Sequence, residues 1–592
     1  MSRSSRPQPA ANRASEALAS CRSAFVAVAL FSAVVNVLML TGSVYMLQVY
    51  DRVLPSRSLP TLVALSLIVV ALYMLLGVFD WLRQRILSRI GVSLDQSLSR
   101  HVLTAIMRAP LRGAPQDGAQ LSRDLDSVRS FLSGLGPTAL FDLPWMPFYV
   151  AICFLLHPYL GLTLLAGGLL LIILTVLTEL LTRNPSAEAS RTAASRASVL
   201  ELARRNAEVA AALGMQQRIA GRFDLANARH SAVNLVSTDI ASGLGTISKV
   251  IRFILQSALL GVGAWLVINN EASAGVMIAS SVLSSRALAP IELAIANWRP
   301  FLSARQAWSR LKTALPSDDT SHTVSPDTPR RELTLDQVYV GVPGGRTAII
   351  QNASFRLEAG DALAIIGPSA SGKSTLARAL AGIWPVARGE LRLDGATLDQ
   401  WSHEARGAQI GYLPQDIQLF DGTVAESIAR FDPDMKQEAV IAAAKAAGAY
   451  EMILGLPNGF ETQIGEAGGA LSGGQKQRLG LARALYGDPF FVVLDEPNSN
   501  LDAEGDAALA SAIAGIRQRK GIVVIIAHRP SALAGVDLVL TLANGQVQAF
   551  GAKEEVLRKS LATHSPAPTP APEPIRAARR ASNAPRGAEV AG

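Results

Sequence analysis

The sequence predicts an all-α membrane domain of six helices fused to an α/β P-loop domain. Three observations predict it. Apolar residues make up 49% of the chain and charged ones only 17%, with a mean hydropathy of +0.27. The apolar excess lies before residue 300, where six stretches approach the ~20 residues needed to cross a bilayer. Beyond it comes Gly367-Pro368-Ser369-Ala370-Ser371-Gly372-Lys373-Ser374-Thr375, set between a strand-like run (362–366) and a helix-like one (376–380), the context a phosphate-binding loop requires. At 592 residues the chain is too long for one ordinary domain.

The six stretches are 25–47, 60–79, 141–156, 159–178, 253–268 and 273–293. The first, second and fourth hold no charged residue. The third carries Asp142 at its margin and is interrupted by Pro144 and Pro147. The sixth contains Arg286, and a central arginine costs ~2.5–3.5 kcal/mol on insertion scales. It is retained because an even number of spans returns the chain to its starting side. Arg3, Arg6, Arg13 and Arg22 precede the first span, Arg83, Arg85 and Arg89 follow the second, and Arg183 to Arg205 follow the fourth. Arg299, Arg305, Arg310 and Lys312 follow the sixth. The short loops on the other side carry chiefly Arg52 and Arg57. The excess of basic residues therefore places the N-terminus, both long loops and the P-loop domain in the cytoplasm. It also accounts for most of the net charge of +8. No basic–aromatic interleaving supports a nucleic-acid surface, so no nucleic-acid partner is expected.

The first apolar run exceeds a cleaved signal h-region, so it reads as a retained membrane helix. Cys21 and Cys153 lie at or inside membrane segments and supply neither a disulfide framework nor a metal site. The two long loops, about 80–138 and 179–247, are helical in pattern, and 30 residues of helix extend ~45 Å beyond a bilayer. Segments 124–133 and 212–218 are, by position, either coupling helices or ordinary connectors. The domains read as a 1–24 cytoplasmic segment, a 25–315 membrane domain, a 316–331 linker, a 332–561 P-loop domain, and a 562–592 Pro/Ala-rich tail expected to be disordered.

Phosphate oxygens are approached by bare backbone N–H groups, which glycine exposes by permitting left-handed turns. Lys373 adds a charge for the β/γ-phosphates, and Ser374 places a hydroxyl for Mg²⁺. Further on stand Leu471-Ser472-Gly473-Gly474-Gln475 and the apolar run 490–494, which ends in Asp495-Glu496 and reads as a buried parallel strand. Here the sequence resembles the ABC ATPases, whose signature is LSGGQ. The resemblance implies that ATP and Mg²⁺ bind, that Asp495 serves the metal and that Glu496 serves the attacking water. Gln415 in Tyr412-Leu413-Pro414-Gln415 looks like the Q-loop, also reaching the metal. Ser499-Asn500-Leu501-Asp502 looks like the D-loop, and His528 after the strand-like 522–526 looks like the switch histidine. Catalysis would thus rest on Glu496, His528 and Gln415. Nucleotide would be held by 367–375 together with Ser472, Gly473, Gly474, Gln475 and Asp502.

One P-loop and one signature make half a machine. In this family the signature of one domain closes over nucleotide on the P-loop of another, so a complete site requires a second subunit. A homodimer with two-fold symmetry is the economical assembly. A membrane domain fused ahead of the ATPase resembles the type I exporter branch, as does Ile464-Gly465-Glu466-Ala467-Gly468. Met46-Leu47-Gln48-Val49-Tyr50-Asp51-Arg52-Val53-Leu54-Pro55, Pro144-Trp145-Met146-Pro147-Phe148 and Arg286-Ala287-Leu288-Ala289-Pro290 narrow the match to type I secretion ATPases of Gram-negative bacteria. They are most similar to the branch exporting alkaline proteases and glycine-rich-repeat proteins. That resemblance implies an inner-membrane location and export of an unfolded polypeptide with a C-terminal signal. It also implies a periplasmic membrane-fusion adaptor and an outer-membrane channel as partners. The N-terminal peptidase-like domain of some relatives is absent. Val342 occupies the place of the family's adenine-stacking aromatic, with Tyr339 nearby. Ser280, Ser281, Ser284, Ser285 and Arg286 suit a wet polypeptide conduit, or else the serines bond to backbone and pack helices closely. A lipid or small-molecule exporter is the alternative function, and a non-transporting ABC ATPase a distant one.

Overall fold

The computed structural model describes residues 12–113, 118–315, 326–465, 468–527 and 533–563. His528, Glu466, Ala467, most of the linker and the C-terminal tail lie outside the described residues. The chain forms two compact units, divided between Asp319 and Thr320.

The first unit is helical throughout. Its elements are α1 (Arg13–Ser20), α2 (Arg22–Leu38), α3 (Thr41–Gln48), a π turn (Val49–Val53), α4 (Leu54–Ser56), α5 (Leu59–Arg108), α6 (Gly118–Ser133), α7 (Gly136–Asp142), α8 (Met146–Leu156), α9 (Pro158–Arg205), α10 (Ala207–Ala212), α11 (Gln216–Ile268), α12 (Ala274–Ala296) and α13 (Trp298–Ala314). Among the described residues six segments are long and apolar enough to span a membrane, and each overlaps one of the stretches read from hydropathy. Sequence fixes where several begin. Ser58 caps α5 through its hydroxyl with Pro60 in the first turn, and Ser273 caps α12 likewise. The helices α5, α9 and α11 run for 50, 48 and 53 residues, so each is ~70–80 Å long, more than twice the hydrocarbon thickness. Exposed Leu30, Leu67, Met74, Leu155 and Ile268 line outward faces of α2, α5, α8 and α11, as lipid contact requires. Inside, Tyr149, Leu160, Leu164, Leu171, Leu255, Leu259 and Leu283 form a common core. Gly167 lets α9 and α11 approach, since a Cβ there would meet Leu255 Cδ2 at 2.2 Å.

Several polar groups inside this unit are paired. Arg83 donates to both Asp142 oxygens at 2.8 and 3.0 Å, to Asp80 at 2.6 Å and to Ser32 at 3.0 Å. Asn36 donates to Asp142 at 2.8 Å, and the Tyr149 hydroxyl donates to the Asn36 backbone carbonyl. Four helices (α2, α5, α7 and α8) are thus tied at one depth. At the opposite ends of the spans Asp51 accepts from the Ser273 hydroxyl at 2.6 Å and from the Gly275 N–H at 2.9 Å, placing a carboxylate at the start of α12.

Two expectations are corrected. Segment 124–133 is not a separate connecting helix but part of α6, whose Leu121, Leu125 and Val128 pack on Leu94 and Leu98 of α5 and Leu311 of α13. Its apolar face packs within the helical unit instead of standing at a loop tip. The actual break falls after Arg108, where Pro110 and Gly113 (φ +67°) stop the helix. Segment 212–218 likewise straddles a turn at Gly214 (φ +61°) between α10 and α11. Of the two readings of the sixth-span serines, it is backbone bonding that the chain shows. Ser280, Ser281 and Ser284 are buried, and Ser280, Ser284 and Ser285 donate to the carbonyls of Met277, Ser281 and Val282. Arg286 alone of that run is exposed.

The second unit contains β1 (Glu332–Gly341), β2 (Ala348–Glu358), β3 (Ala362–Ile366), α14 (Lys373–Leu380), β4 (Arg388–Leu393), β5 (Ala396–Thr397), α15 (His403–Gln409), β6 (Ile410–Leu413), α16 (Val424–Ile428), α17 (Gln437–Ala446), α18 (Tyr450–Leu454), α19 (Gly473–Leu485), β7 (Phe491–Asp495), α20 (Ala503–Gln518), β8 (Ile522–Ile526), β9 (Leu538–Ala543), β10 (Gln546–Ala552) and α21 (Lys553–Thr563). Strands β1, β2, β4 and β5 make an antiparallel sheet in the order β2-β1-β4-β5. The other six are ordered β10-β9-β3-β8-β7-β6, parallel except for the β10 edge. Strands β7 and β8 are buried at every residue, which is why they read as unbroken apolar runs instead of alternating ones. Their carboxyl ends deliver the motif residues to one edge, where ligands bind in open α/β sheets.

Candidate active site

The P-loop leaves β3 and enters α14 through three left-handed residues, Gly367 (φ +155°), Ala370 (φ +63°) and Gly372 (φ +102°). A Cβ on Gly367 would stand 2.0 Å from the Leu542 carbonyl oxygen, so only glycine fits. The Lys373 ammonium donates to the Gly367 and Pro368 carbonyls at 3.0 and 2.8 Å. Burial lowers its pKa, opposed by the charges of Glu496 and Asp495. The Ser371 hydroxyl is buried without a hydrogen-bond partner. A loop with a buried lysine held on carbonyls and an unpartnered hydroxyl fits an incoming polyphosphate, which would satisfy both.

The metal residues converge. The Ser374 hydroxyl lies 3.4 Å from Asp495 Oδ1. Asp495 ends β7 at 1% exposure, and burial raises its pKa, with the Ser374 hydrogen bond opposing and Glu496 adding to the rise. A carboxylate whose charge is penalised in this way is stabilised by a bound cation. Registry of β6 with β7 pairs Leu413 with Leu494, so Gln415, two residues on, stands at the same sheet edge as Asp495. Glu496 follows in the left-handed region (φ +51°), its N–H donating to the Ile526 carbonyl. Glutamate there stores backbone strain of ~1–3 kcal/mol, a cost that clusters at functional positions. Residue 528 is outside the described residues, but β8 ends two residues before it.

The signature opens α19. Ser472 is its N-cap, accepting from the Gln475 N–H at 3.3 Å, while Gln475 Oε1 accepts from the Ser472 N–H at 2.9 Å. This reciprocal capping box leaves Gly473 and Gly474 at a bare helix N-terminus. Asp502 caps α20 and accepts from Arg478 at 2.8 Å, which together hold its carboxyl below the ordinary range. Within one chain Asp502 and Gln475 are therefore engaged structurally. Tyr339 is half-buried with Arg388 over its ring at 5.7 Å, whereas Val342 is exposed.

Sequence reasoning missed Gln477. It is 1% exposed, donates to the Glu496 and Pro497 carbonyls at 3.3 and 2.6 Å, and accepts from Ser499 and Asn500. One buried amide thus links the signature helix to the segment carrying Glu496. The only available signal was a glutamine on the face of α19 that carries the buried Leu481 and Ala484.

Six spans joined to a P-loop domain with a signature helix define an ATP-driven membrane transporter. Residues 25–290 match the family model of the ABC transporter transmembrane region, and residues 350–499 match that of the ABC transporter. The type I secretion system ATP-binding protein PrsD of Rhizobium meliloti (strain 1021) is 54% identical over 549 residues, covering 92% of this chain and 94% of that protein. The leukotoxin translocation ATP-binding protein LktB of Mannheimia haemolytica is 29% identical, covering 92% of this chain and 78% of LktB. A bacterial Atm1-family ABC exporter solved with ATP bound superposes with a TM-score of 0.78 at 22% identity, over 93% of this chain and all of that one. The chain belongs to the ABC transporters and, within them, to the type I secretion ATP-binding proteins. Its fold is that of the type I exporters, and its ATPase domain hydrolyses ATP to drive transport.

Proposed function

We propose that this chain is the inner-membrane motor of a type I secretion system. It works as a homodimer that exports an unfolded polypeptide through a periplasmic adaptor and an outer-membrane channel. The cargo class is a glycine-rich-repeat protein with a C-terminal signal. The carrying observation is that the alignment with PrsD, at 54% identity, covers 92% of this chain and so takes in both the membrane and the ATPase domains.

In each composite site the P-loop N–H groups and Lys373 hold the phosphates. Ser374, Asp495 and Gln415 would hold Mg²⁺, which when bound would neutralise charge on the β- and γ-phosphates. Glu496 accepts the proton of the attacking water, and His528 is the switch histidine by its place in the sequence. Gln477 fixes the Glu496 backbone, and so the direction of its carboxylate. Ser472, Gly473 and Gly474 of the second subunit close over the γ-phosphate with helix N-terminal N–H groups.

The test is reconstitution of export. Cells expressing this chain with its adaptor and channel should release a repeat protein into the medium, and deletion of the C-terminal signal should retain it. Release of a fluorescent lipid or drug instead, with the protein retained, overturns the cargo assignment. Arg286, exposed on α12, would face the passing chain. Arg286→Glu should cut export of an acidic cargo by about ten-fold, one favourable charge contact replaced by a repulsive one, while basal ATPase activity stays within two-fold.

A further inference from the structure

A cleft of about 530 Å³ opens between α11 and α12 in the helical unit. Lys249, Arg252, Glu292 and Arg299 line it, a net charge of +2. Arg252 is paired with Glu292, and Arg299 donates to Thr238 and Asn234 at 2.9 and 3.0 Å. Lys249 is exposed, with its ammonium 5.9 Å from the Phe253 ring. Gly245 leaves room on one wall. Ser248 is 2% exposed, and its hydroxyl has no hydrogen-bond partner.

Depth follows from helix geometry. A short turn at 269–273 joins α11 to α12, so both helices enter the bilayer at one surface. The hydrocarbon layer takes up ~20 residues of each, ending near residue 249 on α11 and 293 on α12. Lys249, Arg252, Glu292 and Arg299 all lie within two turns of those positions. The cleft therefore sits at headgroup level, on the side where α13 and the rest of the chain continue. Immediately towards the bilayer, Val250, Phe253 and Ile254 are exposed, an apolar strip suited to acyl chains.

We propose that this cleft binds the headgroup of an anionic phospholipid. Its phosphodiester is held by Lys249 and the Ser248 hydroxyl within the field of Arg252 and Arg299, and its tails lie along the α11 strip. Basic pockets between helices at this depth recognise such headgroups, and ammonium and hydroxyl donors match phosphate oxygens. An acidic stretch of polypeptide shares the charge but has no use for an apolar strip directed into the bilayer. The inference requires only that the helices span the membrane and does not depend on the identity of the cargo.

Native mass spectrometry of the full chain, released from nanodiscs of phosphatidylcholine mixed with phosphatidylglycerol, reads retained lipid directly. Wild type should retain phosphatidylglycerol over phosphatidylcholine. Lys249→Gln, a surface substitution that keeps the fold, should lower that retention about five-fold, the factor a single basic residue contributes beside an anionic lipid. Lys249→Arg should preserve it, and Ser248→Leu, which fills the cleft without changing charge, should abolish it. Equal retention of both lipids by wild type, or equal phosphatidylglycerol retention by wild type and Lys249→Gln, overturns the proposal. So does displacement of the lipid by inorganic phosphate alone, or crosslinking of an acidic peptide rather than lipid to a photoreactive residue at 249.

Discussion

Glu496 occupies a left-handed backbone position at the end of a fully buried strand, beside a carboxylate whose charge is already penalised. Glutamine keeps the size and the backbone but removes the base. Glu496→Gln should therefore lower ATP turnover by ~10²–10⁴ while nucleotide still binds, and equilibrium binding beside a phosphate-release assay separates the two. Lys373→Ala should do the reverse, weakening binding first, because its ammonium lies among the loop carbonyls where the phosphates would go. Gln477 gives a finer test of positioning. Gln477→Leu keeps the volume but frees the Glu496 carbonyl and strands the Ser499 and Asn500 donors. Turnover should fall by about ten-fold or more, as misplacement near a reacting group does, with KM for ATP little changed. A parallel fall in affinity would show that the glutamine serves binding instead.

At the scale of elements, the buried Arg83–Asp142 pair joins helices that hydropathy treats as separate spans. Asp142→Ala leaves a guanidinium in the interior with only Asp80 and Ser32, and should cost ~3–5 kcal/mol of stability. Arg83→Met combined with Asp142→Ala should recover much of that, because no deeply buried charge remains and Asp80, about a third exposed, keeps contact with water. Thermal unfolding of the detergent-solubilised protein measures both. This pair also marks how far the sequence could be read. Spans one, two and four were legible because long uncharged runs admit one reading, and 362–366 and 522–526 because parallel strands are apolar on both faces. The P-loop was legible because phosphate binding imposes its own local spelling. Asp142 read as a marginal cost because its partner Arg83 lies in another span, and spacing carries no information about that contact. Gln477 was invisible for a related reason, since its partners are chiefly backbone carbonyls and neighbouring polar groups brought near by tertiary packing. The role of segment 124–133 stayed open because mid-loop position alone does not tell a helix that packs on α5 from one that projects from a loop.

For the whole molecule, one P-loop and one signature per chain imply that ATP sites are shared. Lys373→Ala chains mixed with Ser472→Arg chains should form heterodimers with one intact and one doubly damaged site. Near half of the wild-type ATPase rate per dimer is then expected where the sites act independently. Purified heterodimers with two different tags give the measurement, and activity no higher than that of either parent would argue against the shared geometry. The same mixture made with Glu496→Gln in place of Lys373→Ala reports whether a nucleotide held without turnover in one site blocks the other.

Synthesis imposes an order on the Arg83 contacts. Asp80 precedes Arg83 by three residues, whereas Asp142 follows it by 59. At ~5–20 residues per second the ribosome delivers Asp142 roughly 3–12 s after Arg83. During that interval the second helix must enter the membrane with its guanidinium at the bilayer boundary and Asp80 as its early counter-charge. A chain lacking Asp80 would reach the same finished contact with Asp142, provided that it was inserted at all. Its defect would appear as a shortfall of newly made protein in the membrane, with the molecules that do mature behaving normally.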